Sequence, residues 1–213
     1  MASERIRAVL FDFAGVITVP MGPTVKRFAL NSGADLHELV DFIFGDYGGS
    51  VDSPWHQLER GEISLEAFAS WGRAQGATRG WDLDLTAFLD ELIACELRAD
   101  IVERVGRLRA DGYRTLLLTN NIREYSTRWR TRLPVDDLFE VVVDSSEVGM
   151  RKPEPRIFQH ALDKLGVTPG EAIMLDDITV NVEAARAVGM QAIQVGLRAD
   201  EALAELDGLL GRS

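Results

Sequence analysis

The chain has 213 residues, of which 46% are hydrophobic and 27% charged. This composition is typical of globular proteins and excludes a disordered chain. The length suits one core domain, with or without an insertion. Its formal net charge of -11 argues against a nucleic-acid-binding protein, because contact with the phosphate backbone requires a basic surface. The single cysteine, Cys95, excludes an internal disulfide and a zinc site built from several thiolates, which favours a reducing, cytoplasmic location.

The predicted elements alternate between short apolar runs and amphipathic stretches. Each apolar run is too short for a buried helix and is bounded by turn or polar residues, which predicts a strand. The predicted strands are Ala8–Phe11, Thr115–Leu118, Val141–Val143, Ile173–Leu175 and Ala192–Val195. The predicted helices are Ile101–Asp111, Arg123–Arg132, Pro155–Leu165 and Val182–Val188. This alternation indicates an α/β fold with a Rossmann-like parallel sheet covered on both faces.

The first apolar run also bears on membrane contact. It is preceded by Glu4 and interrupted by Asp12, a pattern that suits neither an export signal nor a membrane span. We therefore expect no membrane partner, and a monomer or homodimer in solution.

Residues 20–97 break this alternation, since they contain helical patterns and no convincing strand. The patterns lie at Gly22–Ser32, Asp35–Phe44, Ser64–Gln75 and Leu85–Leu97. We expect residues 20–97 to form a helical cap inserted after the first strand, and residues 1–19 and 98–213 to form the core. An insertion there lies over the carboxyl end of the sheet, where such folds bind ligands, and predicts a lid. Cys95 lies in the last helical pattern, so we expect it to pack in the core.

Four groups of polar residues follow predicted strands and therefore meet at one edge of the sheet. They are Asp12, then Thr119 and Asn120, then Lys152, and finally Asp176 and Asp177. Singly, each has an ordinary interpretation as a turn former, a helix cap or a solvated loop charge. Their order and their common placement at strand ends favour a functional site. A nucleophile, an anion cradle, a cation and a carboxylate pair suit a magnesium-assisted attack on a phosphoryl group.

Four stretches resemble, in order, the motifs of the haloacid dehalogenase (HAD) superfamily: VLFDFAGV, LLLTNN, VGMRKPEPRIF and MLDDITVNVEAARAVGM. With its helical insertion, and with the stretch WHQLERGEISLEAF at Trp55–Phe68, the chain is most similar to the branch containing the N-terminal phosphatase domain of soluble epoxide hydrolase. The resemblance implies that Asp12 is the nucleophile, that Thr119 and Asn120 hold phosphoryl oxygens, and that Lys152 neutralises the nucleophile and the substrate. It also implies Mg²⁺ with Asp177 as a direct ligand and Asp176 in the same site through water.

Ala14 departs from the phosphatase pattern of that family. Phosphatases carry an aspartate two residues after the nucleophile, which protonates the leaving group and lends its backbone carbonyl to the metal. The Ala14 carbonyl can still bind the metal, because every residue has one. The acid is lost, and positioned acid–base catalysis contributes ~10²–10⁴-fold. We therefore expect a HAD-like hydrolase that acts slowly on a small phosphorylated metabolite through an aspartyl-phosphate.

Two other chemistries stay open, since two HAD groups lack that aspartate. Dehalogenases attack carbon without a metal, which the acidic pair Asp176 and Asp177 disfavours. Phosphonoacetaldehyde hydrolases have an Asp-x-Ala-Gly-Thr motif but use a cap lysine, and the one lysine of the insertion, Lys26, fits a solvated helix. A third alternative is a degenerate fold that binds ligands without catalysis.

The aromatic residues of the insertion are expected to form mainly the core of the cap. Phe44, Tyr47 and Trp55 flank the loop between residues 45 and 54, which is rich in Gly, Asp and Ser. We expect some of these three side chains to face the active site.

Overall fold

A five-stranded parallel sheet forms the centre of the protein, for which we used a computed structural model that describes residues 5–46 and 52–211. The strands are β1 (Ala8–Phe11), β2 (Arg114–Thr119), β3 (Val141–Asp144), β4 (Ala172–Asp176) and β5 (Gln191–Gln194). Their order in the sheet is β3-β2-β1-β4-β5, and every neighbouring pair is parallel. The predicted α/β class with a parallel sheet is confirmed.

The helices of the described residues surround this sheet or lie between β1 and β2. They are α1 (Gly22–Ser32), α2 (Leu36–Phe44), α3 (Pro54–Glu59), α4 (Leu65–Ala77), α5 (Leu85–Ile93), α6 (Ala99–Ala110), α7 (Ser126–Arg130), α8 (Val135–Leu138), α9 (Ser145–Val148), α10 (Pro155–Leu165), α11 (Thr179–Ala187) and α12 (Asp200–Leu209). None of them is long and apolar enough to cross a membrane.

Both faces of the sheet are covered, as its continuous apolar strands require. Along β1 the side chains alternate between two clusters. Val9 and Phe11 pack with Ile101 on one face, whereas Ala8 and Leu10 pack on the other. Because both faces are dry, β1 has no polar residue until its end. Its last residue, Phe11, leads directly to Asp12, which is therefore delivered to the carboxyl edge of the sheet.

Two of the predictions made from the sequence are wrong. The helix predicted at Leu85–Leu97 ends at Ile93, and Cys95 is half-buried outside the apolar clusters instead of packing in the core. The helix stops because its continuation pairs with the chain entering the insertion: the Val19 amide donates to the Glu96 carbonyl at 2.8 Å. Arg132 then donates to the carbonyls of Ile93 and Cys95, which satisfies acceptors that the helix end leaves open.

The inserted helices α1–α5 have an apolar cluster of their own. Its buried residues include Leu39, Phe68 and Phe88, and two residues that follow β2, Ile122 and Tyr125, pack against it. The two connections to the core run beside each other, since Thr18 and Leu97 form an antiparallel bridge. The Arg98 amide completes the pairing by donating to the Ile17 carbonyl at 2.8 Å. The division into a core and a cap domain at residues 20–97 stays a prediction.

Candidate active site

The predicted site residues converge at the carboxyl edge of the sheet. Asp12 follows β1, Thr119 ends β2 and Asp176 ends β4, while Lys152 lies in the loop before α10. The Lys152 ammonium group is 2.8 Å from Asp12 Oδ1 and 2.6 Å from Asp176 Oδ2. All four side chains are buried. A lysine without contact with water thus joins two carboxylates from neighbouring strands.

The turn after β1 orients the Asp12 carboxylate. Its Oδ1 accepts a hydrogen bond from the Phe13 amide at 2.7 Å, in addition to the contact with Lys152. The turn closes through the Thr18 amide, which donates to the Phe13 carbonyl at 3.0 Å. At its centre Gly15 has a φ of +76°, a left-handed conformation that favours glycine. A Cβ atom on Gly15 would also overlap the Asp177 carboxylate, so this turn and the Asp177 side chain are in direct contact.

The Asn120 carboxamide holds the backbone of Lys152. Its Oδ1 accepts from the Lys152 amide at 2.8 Å, and its Nδ2 donates to the Lys152 carbonyl at 2.9 Å. The side chain of Asn120 therefore positions the lysine, a role that sequence reasoning missed. That Thr119 and Asn120 hold phosphoryl oxygens stays a prediction. Because the Asn120 side chain binds the Lys152 backbone, the backbone amide of Asn120 is the group that would contact a phosphoryl oxygen.

Asp176 has donors on both oxygens. Its Oδ1 accepts from the Ile178 amide at 2.9 Å and from Asn181 Nδ2 at 3.0 Å, and its Oδ2 faces Lys152. This carboxylate is fully buried and fixed in orientation. A carboxylate with both oxygens engaged suits contact with a metal through water better than direct ligation.

The acidic residues fit a divalent cation. Asp12, Asp176 and Asp177 each offer a carboxylate oxygen, and these oxygens lie within 4.8 Å of one another. Burial raises the pKa of Asp12 well above its usual value, against the effect of Lys152 and with a further contribution from Asp176. Burial, followed by repulsion from Asp176, raises the pKa of Asp177 to about 7. The single positive charge of Lys152 does not balance the negative charge of three carboxylates. A divalent cation that prefers oxygen ligands would balance it.

Ala14 lies beside this cluster and lines the same cavity as Asp12 and Asp177. It contributes no carboxylate, and its backbone is in an ordinary extended conformation, with φ of -74° and ψ of 126°. The carbonyl of Ala14 is thus the group of this residue that could hold a cation.

A buried ion pair between α3 and the Lys152 loop was missed by sequence reasoning. Arg151 Nε is 2.6 Å from Glu59 Oε2, and both side chains are buried. The consecutive residues Arg151 and Lys152 therefore contact the inserted helices and the nucleophile candidate, respectively. Glu59 lies within the stretch Trp55–Phe68, and Arg151 lies within the third motif, but nothing local in the sequence pairs them.

A cavity of about 690 Å³ opens over Asp12. Thr119, Asn120 and Asp177 lie at its floor, and the inserted helices form much of its wall. Phe44 and Trp55 line the cavity. This agrees with the expectation that some of the aromatic residues flanking the loop between residues 45 and 54 face the site. Tyr47 lies outside the described residues.

Comparison with known proteins matches most of the chain to one family. A family model described as haloacid dehalogenase-like hydrolase matches residues 6–189. The chain is 32% identical to Acyl-CoA dehydrogenase family member 10 of Mus musculus, over 96% of this chain and 19% of that protein. It is 27% identical to bifunctional epoxide hydrolase 2 of Rattus norvegicus, over 97% of this chain and 39% of that protein. The chain thus spans about a fifth and about two fifths of these two relatives.

Two further proteins match along nearly their whole length. The chain is 29% identical to a sesquiterpene phosphatase of Aspergillus oryzae, over 96% of this chain and 97% of that protein. A HAD-like family hydrolase from Porphyromonas gingivalis superposes with a TM-score of 0.71 at 25% identity, covering 95% of this chain and 98% of the other. The resemblance to the HAD superfamily and to the epoxide hydrolase branch is confirmed.

We expect Asp177→Asn to weaken Mg²⁺ binding more than the ~10–100-fold that loss of an outer-shell partner costs, because a hard cation loses a charged ligand. Calorimetric titration of Mg²⁺ measures the effect. Asp137→Asn removes an equivalent charge from the exposed side of α8 and serves as the control, with unchanged affinity. Equal affinity in Asp177→Asn and the unmodified protein would contradict the assignment of Asp177.

We also expect Gly15→Ala to weaken Mg²⁺ binding by about 10–100-fold, because its Cβ displaces the Asp177 carboxylate. The matched control is Gly33→Ala, at a φ of +71° with open space around the new methyl group. Both variants carry the left-handed strain of about 1–2 kcal/mol, so thermal melting should fall in both. If Gly33→Ala loses as much Mg²⁺ affinity as Gly15→Ala, the loss reflects stability and not the contact with Asp177.

Proposed function

The chain belongs to the haloacid dehalogenase-like hydrolases, and we propose that it is a Mg²⁺-dependent phosphatase that works through an aspartyl-phosphate on Asp12. The observation that carries the proposal is the buried contact of Lys152 with both Asp12 and Asp176, next to the third carboxylate of Asp177. This set offers a nucleophile, a fixed cation and ligands for a divalent metal. The similarity to a sesquiterpene phosphatase over the whole chain supports phosphate ester hydrolysis.

Asp12 is the proposed nucleophile. The Phe13 amide and Lys152 both donate to Oδ1, which orients the carboxylate and stabilises its ionised form. Oδ2 then attacks phosphorus, and the bond between phosphorus and the ester oxygen breaks as the new bond forms. The departing alkoxide takes a proton from water. A second water hydrolyses the aspartyl-phosphate, which releases inorganic phosphate and restores the Asp12 carboxylate.

The remaining residues hold the parts in place. Asp12, Asp177 and the Ala14 carbonyl would hold Mg²⁺, with Asp176 in contact through water. When bound, the metal neutralises negative charge on the transferred phosphoryl group. Thr119 and the backbone amide of Asn120 are proposed to hold the phosphoryl oxygens. The Asn120 side chain keeps Lys152 in position, because it binds that residue's backbone on both sides.

We further propose that residues 20–97 act as a cap domain over this site and that residues 1–19 and 98–213 form the catalytic core. The apolar cluster that the inserted helices mainly form among themselves supports the division. The paired connections at Thr18 and Leu97 also support it, since a cap needs both of its links at one place. Such a cap would exclude bulk water, which would otherwise hydrate the Asp12 carboxylate and weaken the electrostatic contacts of the site.

We expect the chain to hydrolyse 4-nitrophenyl phosphate with Mg²⁺, and we expect the activity to vanish in EDTA and in Asp12→Asn. A colorimetric assay measures it, with Asp137→Asn as a control that keeps its activity. Turnover that survives either treatment would contradict the proposal. Halide release from a haloacid without a metal would instead identify carbon-centred chemistry, and no turnover of any ester would identify a binding module.

Ala14→Asp should raise the turnover of an alkyl phosphate, with an upper bound of ~10²–10⁴-fold, because it restores a proton donor beside Asp12. Ala14 lines the cavity, and its backbone has an extended conformation that aspartate also adopts. The gain should be much smaller for 4-nitrophenyl phosphate, whose leaving group departs without a proton. Ala14→Asn has the same size without an acid and should give no gain. Equal gains on both substrates would show that Ala14 is not simply a missing acid.

A further inference from the structure

Glu59 is a residue of the inserted helices that is fixed to the core by its backbone and by its side chain. It is the last residue of α3, and it lines the cavity over Asp12. Ser145 Oγ donates to the Glu59 carbonyl at 2.6 Å, and the same Oγ accepts from the Asn121 amide at 2.9 Å. The end of α3 is therefore held against the segment that follows β2.

The Glu59 carboxylate contacts the two residues that hold Lys152 in place. Its Oε2 is 2.6 Å from Nε of Arg151, the residue that directly precedes the lysine. Asn120 Nδ2 lies 3.5 Å from the same oxygen. The Asn120 carboxamide also binds the amide and the carbonyl of Lys152. One carboxylate oxygen of α3 therefore contacts the neighbour of the lysine along the chain and the side chain that binds the lysine's backbone.

The charge of Glu59 stabilises the buried position of Arg151. The side chains of this pair are only 3–4% exposed, and a buried guanidinium group is unfavourable unless a carboxylate compensates it. Without the Glu59 carboxylate, the segment that carries Arg151 would gain free energy by moving toward water. Such a movement would carry the adjacent residue, Lys152, away from Asp12.

A second ion pair joins the same two segments nearer the surface. Arg60, which follows α3, is 3.5 Å from Glu154, two residues after the lysine. Their side chains are 11% and 27% exposed, and Glu154 also pairs with Arg156 at 2.6 Å. Because each segment contributes one glutamate, Glu59 and Glu154 offer matched positions for separating the docking of α3 from an effect on Lys152.

We propose that Glu59 is a positioning residue for Lys152, acting through Arg151 and Asn120, so that the inserted helices supply part of the catalytic arrangement. The inference rests on the proposed phosphatase function, in which Lys152 neutralises the nucleophile and the phosphate. Glu59 itself is not proposed to touch the reacting atoms. It holds the residues that hold the lysine.

The first test is the turnover of 4-nitrophenyl phosphate with Mg²⁺ by Glu59→Gln, which keeps the shape of the side chain and removes its charge. We expect kcat to fall about 10–100-fold, as when a metal ligand loses its outer-shell partner, with little change in KM. Glu154→Gln makes the same change in the second ion pair and should keep the wild-type kcat. Equal loss of kcat in both variants, or a change confined to KM in Glu59→Gln, overturns the proposal.

The second test does not need activity. The Lys152 amide donates to Asn120 Oδ1 at 2.8 Å, so its hydrogen exchange, followed by NMR, reports how firmly the backbone of the lysine is held. We expect exchange to be about 10–100-fold faster in Glu59→Gln, which corresponds to the loss of a hydrogen bond to a charged group. It should be unchanged in Glu154→Gln. Unchanged exchange in Glu59→Gln contradicts the positioning role.

A double variant decides the question even if Glu59→Gln does not fold. Glu59→Gln/Arg151→Met removes both charges, and replacing a buried ion pair by neutral side chains is often neutral for stability. We expect it to have the low kcat and the fast exchange of the Lys152 amide expected of Glu59→Gln, because the contact through Arg151 is still missing. Recovery of both quantities to wild-type values would show that Glu59 only compensates a buried charge, and would overturn the proposal.

The two readouts separate this inference from the phosphatase proposal. Faster exchange of the Lys152 amide in Glu59→Gln, with no turnover of any ester by the wild-type protein, supports the positioning of the lysine and contradicts the phosphatase. Turnover by the wild-type protein, together with unchanged kcat and unchanged exchange in Glu59→Gln, supports the phosphatase and contradicts the role of Glu59.

Discussion

The buried ammonium group of Lys152, held between Asp12 and Asp176, is the contact on which the arrangement of the site depends. Burying a lysine is unfavourable unless carboxylates compensate it, and removing the lysine would leave both carboxylates buried without their cation. The contact ties the end of β1 to the end of β4 and to the loop before α10. Asp177 adds a third carboxylate, and one oxygen each of Asp12, Asp176 and Asp177 lie within 4.8 Å of one another. These three oxygens could hold a divalent cation.

The inserted helices are connected to this contact through one dipeptide. Lys152 faces the nucleophile candidate, while the preceding residue, Arg151, is paired with Glu59 of α3. Asn120 binds the Lys152 backbone on both sides, which limits how far the loop can move. Movement of the inserted helices would therefore disturb the surroundings of the lysine, a physical link between the cavity wall and the reacting carboxylate. The paired connections near Thr18 and Leu97 restrict such movement further.

The cavity divides the chemistry of the site in two. Its floor carries the charged groups proposed for phosphoryl transfer, and its wall is mostly hydrocarbon. At the position two residues after Asp12, where a phosphatase of this family would carry a carboxylic acid, the cavity is lined by Ala14. The proposed enzyme keeps the ligands for metal and phosphate and lacks one proton donor. The missing donor predicts slow turnover of an ester whose leaving group needs a proton.

The sequence by itself determined the sheet and the residues at its edge. Burial on both faces makes each strand a continuous apolar run, and such a run marks where Asp12 and Asp176 emerge. Only the tertiary structure decided that Glu59 pairs with Arg151, 92 positions away. The same is true of the hydrogen bonds between the Asn120 side chain and the backbone of Lys152, 32 positions away. The end of α5 at Ile93 and the position of Cys95 also depended on pairing with Val19. Periodicity reports local burial, whereas these contacts join segments whose spacing along the chain carries no signal of their proximity.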